Sequence, residues 1–131
     1  MKGAYCLLIR VSKDSLIKIG SLGSIRFDPG YYLYVGSAMN NLESRVHRHL
    51  ITSEKKVCRL RWHIDYLLVE PDVSIASLYK IISDKRIECA IAYELSRNYD
   101  TVSGFGSSDC KCKGHLFKLA KSHVFDAQSV S

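Results

Sequence analysis

The sequence predicts an α+β domain: a small central sheet, antiparallel or mixed, flanked by helices. Three observations carry that expectation. The 131 residues match a single domain of ordinary size. Apolar residues make up 47% and charged residues 24%, a globular composition that argues against disorder. Short runs of strand-forming residues fill the first third, and segments with helical periodicity follow. No repeat or low-complexity linker divides the chain, so 1–131 reads as one domain.

Each element has a local reason. Ala4 to Val11 is an apolar run that ends in the polar Ser12-Lys13-Asp14 turn. Ser15 to Ile19 alternates polar and apolar residues, and Gly20 to Ser24 breaks the pattern. Ile25 to Phe27 is a short strand candidate closed by Asp28-Pro29-Gly30. Tyr31 to Gly36 is rich in aromatic and β-branched residues and reads as the next strand. The first third is therefore expected to form an antiparallel meander.

Asn40 or Asn41 can cap a helix from about Leu42 to Ile51, with Glu43 in the first turn, where the dipole favours an acid. Leu42, Val46 and Leu50 form its expected buried stripe, and Arg45 and His49 share one flank. Ser53 to Arg59 reads as an exposed basic loop. Arg61 to Leu68 predicts a short helix ended by Glu70-Pro71-Asp72, and Val73 to Ile82 a strand. Asp84 is placed to cap a helix from about Lys85 to Arg97. Ser103 to Cys112 is a Gly/Ser-rich loop, after which His115 to Leu119 returns as a strand.

The charge is uneven. The chain carries +6 overall. Ser44 to His63 holds six bases (Arg45, Arg48, Lys55, Lys56, Arg59, Arg61) against Glu54, and Cys110 to Lys121 holds Lys111, Lys113, Lys118 and Lys121 with no acid. The remainder is slightly acidic. Two concentrated basic segments fit a surface that neutralises phosphates better than they fit a general solubility device. No apolar run approaches the roughly 20 residues of a membrane span, and the start lacks a secretory cleavage pattern. Five cysteines, an odd number without framework spacing, read as reduced thiols of a cytoplasmic protein.

The motifs are more specific. Gly3-Ala4-Tyr5 opens the first strand, and Tyr34-Val35-Gly36 closes the strand after the meander. Gly36-Ser37-Ala38 leads to Asn41-Leu42-Glu43-Ser44-Arg45 and then His49. In this order the sequence resembles the GIY-YIG nuclease superfamily. It resembles more closely a mainly archaeal branch that shows the blocks found here at Gly30 to Ala38, Trp62 to Leu67 and Gly104 to Cys112.

The resemblance implies a GIY-YIG-like fold with an inserted β-hairpin at about 15–27, because the separation of Tyr5 from Tyr34 exceeds that usual in the superfamily. It also implies divalent-metal-dependent hydrolysis of phosphodiester bonds. Tyr5 and Tyr34 would position water and phosphate, Arg45 would stabilise phosphate charge, and His49 would transfer a proton or contact phosphate. The metal carboxylate falls on the predicted 85–97 helix, where Glu88 is favoured over Glu94. One carboxylate can hold Mg²⁺ or Mn²⁺ while water and phosphate complete the shell.

The nearby residues have competing readings. Tyr5 and Tyr34, taken singly, are better read as strand residues filling a core, and only the ordered set of motifs favours the site. Trp62-His63-Ile64-Asp65 could support the site through His63 and Asp65, or Trp62 could anchor the core while His63 and Asp65 pair on the surface. Asp109-Cys110-Lys111-Cys112 with His115 offers Cys110, Cys112 and His115 as zinc ligands. Only three ligands lie there and nothing in the sequence brings Cys89 close, so loop thiols without zinc are the expectation.

The combined expectation is an endonuclease acting on DNA, with RNA as the alternative polymer, in repair or recombination. Arg48, Lys55, Lys56, Arg59, Arg61, Lys111 and Lys113 would track the backbone. Such contacts carry little sequence information, so branched or otherwise irregular DNA is the expected substrate. The rival is a non-catalytic nucleic-acid-binding module of the same fold; a protein partner is a further open point.

Overall fold

Strand β1 (Gly3–Val11) is apolar along nearly its whole length because both of its faces are covered. Its register explains this. In the computed structural model, which describes residues 2–108 and 110–119, β1 pairs antiparallel with β4 (Gly30–Ala38) on one side and β5 (Val73–Ile82) on the other. Beyond β4 follow β7 (Leu116–Lys118) and β6 (Asp100–Thr101), giving the order β5-β1-β4-β7-β6, antiparallel throughout. The chain is an α+β protein.

Alternation along β1 and β4 sends side chains to two cores. Tyr5, Leu7, Ile9, Tyr32 and Tyr34 enter one with Leu42 and Val46 of α1 (Leu42–Lys55) and Ile64, Leu67 and Leu68 of α2 (His63–Leu68). Cys6, Leu8, Leu33 and Val35 enter the other with Ala92 and Leu95 of α3 (Glu88–Ser96) and with Phe117. Helices thus cover both faces. Among the described residues none of them is long and apolar enough to cross a membrane.

Four expectations change. The first third is not one continuous meander: β2 (Ser15–Lys18) and β3 (Ser24–Phe27) form a separate two-stranded hairpin, while β1 pairs directly with β4. Helix α1 runs on to Lys55, so the basic loop expected from Ser53 begins as helix, and Ser53 is buried. Its buried stripe is Leu42, Val46, His49 and Thr52, and Leu50 faces solvent. Helix α3 starts at Glu88 after Ile87 and not after Asp84. Ser83 instead accepts a hydrogen bond from the Lys85 amide on its hydroxyl, holding a turn there.

Candidate functional site

A cleft of about 480 Å³ opens where β4 ends and the starts of α1 and α3 approach each other. Tyr5, Tyr34, Arg45 and Glu88 all line it, from four different elements. The backbone register brings the two tyrosines together. Tyr5 pairs with Gly36 and Leu7 with Tyr34, so both phenols occupy one face on a diagonal. Their ring centroids lie 6.3 Å apart. Gly36 is what admits Tyr5, because a β-carbon there would stand 2.4 Å from the phenol oxygen.

Helix α1 supplies Arg45 and His49 one turn apart. Arg45 donates from Nη1 to the Ser37 carbonyl at 2.9 Å, and its guanidinium lies 4.6 Å from the centre of the Trp62 ring. Ser37 then donates through its hydroxyl to Glu88 Oε1 at 3.2 Å. This serine links the cation on one face of the sheet to the carboxylate on the other. The other Glu88 oxygen, Oε2, lies 3.5 Å from His115 Nδ1. Glu94, the alternative carboxylate, is on the exposed face of α3 beside Arg97 and does not line the cleft.

His49 stands behind Tyr5 rather than in the cleft. It is fully buried, and its Nε2 lies 2.7 Å from the Tyr5 hydroxyl. Contact with phosphate, one of its expected roles, is therefore closed to it. Burial pushes its pKa from 6.5 down to about 4, against the attraction of Asp65 and with the repulsion of Arg48 and Arg45. Burial likewise raises the Tyr5 and Tyr34 hydroxyls, with Arg45 opposing in both cases. Nδ1 of His49 has no hydrogen-bond partner among the described residues. An unmet lone pair is tolerated better than an unmet N–H, which favours the proton on Nε2, donated to Tyr5. The Tyr5 hydroxyl proton is then free to point into the cleft.

A pH dependence follows. His49 is neutral when folded and gains a proton more easily when unfolded, so stability is full above about pH 6.5 and falls as pH drops towards 4. The full loss is about 3 kcal/mol, at about 1.4 kcal/mol per pKa unit. Urea unfolding at a series of pH values should show this slope, and His49→Gln should remove it.

Asp65 is neither exposed nor paired with His63. Its carboxylate is fully buried and accepts from Nη1 and Nη2 of Arg48, at 2.8 and 3.1 Å, and from the Arg61 and Trp62 amides, each at 2.9 Å. His63 lines the cleft and accepts the Gly106 amide on Nδ1 at 2.8 Å. Trp62 is framed by the guanidinium groups of Arg45, Arg48 and Arg61, at 4.6, 4.6 and 5.0 Å from its ring centre.

The predicted basic set divides. Arg48 is held by Asp65, and Lys56 donates to the Leu68 and Val73 carbonyls, so these two serve the fold. Lys55, Arg59 and Arg61 are exposed, as are Lys111 and Lys113. Arg61 lines the cleft. Gly106 and Ser108, on the loop that leads to Lys111 and Lys113, also line it. Arg86 lines the cleft too and lies outside both basic segments; only its nearness to Glu88 in sequence could have suggested it. Asp109 and Lys121 lie outside the described residues.

The loop thiols meet a fourth candidate ligand. Cys89, Cys110, Cys112 and His115 bring their ligand atoms within 4.8 Å of one another, a cluster that could hold a metal ion. The sequence left the position of Cys89 open, and the packing of α3 beside this loop supplies it. The dipeptide Glu88-Cys89 was the available signal: adjacent helical residues point about 100° apart, so one can face the cleft and the other the loop.

Comparison with curated proteins and with solved structures gives no significant match. The family model of the domain of unknown function DUF123 matches residues 4–130, and the chain belongs to that family.

Proposed function

We propose that this protein is a divalent-metal-dependent endonuclease that hydrolyses phosphodiester bonds in DNA, acting on branched or otherwise irregular structures. The observation that carries the reading is the meeting of Tyr5, Tyr34, Arg45 and Glu88 around one cleft. The resemblance to GIY-YIG nucleases requires such a meeting; the β1–β4 register accounts for the two tyrosines, but not for Arg45 and Glu88 beside them.

The residues present fit Mg²⁺ or Mn²⁺. Such ions bind through one or two carboxylates and complete their shells with water and phosphate. Glu88 is partly exposed, at 24% for its side chain, with one oxygen held by Ser37. The ion would supply Lewis-acid polarisation of the scissile phosphate and neutralise the leaving oxygen.

This chain's own residues do the rest. Arg45, fixed by the Ser37 carbonyl and the Trp62 face, presents a permanent charge to a phosphoryl oxygen. Tyr5, with its oxygen held by His49, aims its proton at the attacking water or at phosphate. The raised phenol and the lowered imidazole favour a neutral pair that positions by hydrogen bonding over one that exchanges charge. His49 is then a positioning residue acting through Tyr5. Arg61 and Arg86 at the cleft, with Lys55, Arg59, Lys111 and Lys113 further out, would follow the backbone and make binding weaken steeply with salt.

The test is incubation with branched, flapped and linear DNA in Mg²⁺ or Mn²⁺, beside Arg45→Ala and Tyr5→Phe. Cleavage of the branched or flapped substrates that falls about 10²-fold or more in each variant is expected. Salt-sensitive binding with no cleavage in either metal replaces the enzyme with a binding module, and cleavage untouched by both substitutions removes the site.

A further inference from the structure

We infer that Cys89, Cys110, Cys112 and His115 form a closed structural zinc site that fastens the start of α3 to the 103–115 loop, back to back with the cleft.

The geometry points to one ion. A tetrahedral zinc with Zn–S near 2.3 Å and Zn–N near 2.0 Å needs ligand atoms about 3.5–3.8 Å apart. The four ligand atoms all lie within 4.8 Å of one another, and Cys110 Sγ is already 3.3 Å from His115 Nε2. That span suits a single ion and is too small for a cluster of several irons. Three thiols and an imidazole are a soft set that selects zinc over the hard cation fitting Glu88. With four protein ligands no position is left for water, so the site is structural and not catalytic.

The surroundings are built for it. His115 is fully buried. Its Nε2 faces Cys110, while Nδ1 faces the Val35 carbonyl at 3.3 Å with Glu88 Oε2 at 3.5 Å. A metal-bound imidazole characteristically donates its other N–H to a carbonyl or carboxylate, which fixes both tautomer and ring plane. The loop is tied at its base by two short backbone bonds, from the Gly104 amide to the Lys113 carbonyl and from the His115 amide to the Phe105 carbonyl, each 2.7 Å. Gly104 and Gly106 supply the left-handed turns, at φ of +78° and +71°. Three ligands thus sit on a braced loop and the fourth arrives from α3. The cysteines are free thiols, and loading would release their protons as the thiolates form.

The consequence reaches the cleft. Cys89 adjoins Glu88, and His115 touches both the thiol cluster and the Glu88 carboxylate. Zinc would therefore set where Glu88 stands. The zinc site itself does not depend on the nuclease reading.

The experiment is elemental analysis of the full chain purified without chelator, with about one zinc per chain expected. Cobalt added to metal-stripped protein should give the intense thiolate charge-transfer absorption of a tetrahedral site. In competition with a chromophoric chelator, Cys112→Ser should weaken zinc binding by about 10²-fold or more, while Cys58→Ser leaves it unchanged. Stripping zinc should speed amide exchange in α3 relative to β1. Protein that purifies without zinc and shows no cobalt–thiolate band overturns the site even if Cys112→Ser fails to fold, and stoichiometric iron overturns the choice of metal. Exchange in α3 that ignores zinc removal overturns the fastening role. Zinc-loaded protein that cleaves no DNA leaves the site standing and removes only the nuclease.

Discussion

Replacement of Glu88 by glutamine is expected to lower metal-dependent DNA cleavage by about 10³-fold or more, since a bound cation contributes several kcal/mol to the transition state. The substitution is nearly isosteric and keeps an oxygen to accept the Ser37 hydroxyl, so the cleft should hold its shape. DNA affinity and its salt dependence should change little, because the exposed bases remain. Single-turnover cleavage, filter binding over a salt series and zinc content measured together separate loss of chemistry from collapse. A variant that still cleaves at the parental rate would remove Glu88 from the mechanism.

The second large effect falls on stability. Asp65→Ala should cost about 3 kcal/mol or more, because it strands a partly buried guanidinium and two backbone amides at once. Burial alone would raise the Asp65 pKa, but its bonds from Arg48, Trp62 and Arg61 outweigh that and hold it below the ordinary carboxylate range. A depressed folded pKa contributes stability that is present above the unfolded value of about 3.9 and is lost as pH falls through the folded value. The Asp65 loss thus begins near the acid end of the window in which His49 acts. Urea unfolding of Asp65→Ala beside Asp65→Asn, at neutral pH and again at about pH 3, checks both claims: the gap to the parent should narrow in acid.

How much of this was legible in the sequence depended on whether neighbours in sequence or neighbours in space decide the matter. Val73–Ile82 forms its strand within the expected bounds because its own residues specify it. On α1, hydrophobicity pointed to Leu50, but the helix buries His49 and Thr52 instead. A histidine can enter a core once its ring nitrogen finds a partner, and that partner, Tyr5, is 44 positions away. The division of labour between Arg45 and Arg48 was hidden for the same reason, since only the placement of Asp65 assigns one to the cleft and the other to the fold. Motif order foretold that Tyr5, Tyr34, Arg45 and Glu88 would share a cavity. It was silent on Ser37 as the link, and it could not bring Cys89 to the loop thiols, because both placements follow from how α3 lies against the sheet.

Trp62 is the sole tryptophan in the chain, and it sits in the cleft wall among three guanidinium groups and 6.2 Å from the His49 ring. Its emission is therefore a built-in gauge of that wall. A polyanion that draws Arg45 or Arg61 off the indole should change both intensity and wavelength. Occupancy of the cleft can then be followed by fluorescence titration in the unlabelled chain, independently of whether any strand is cut.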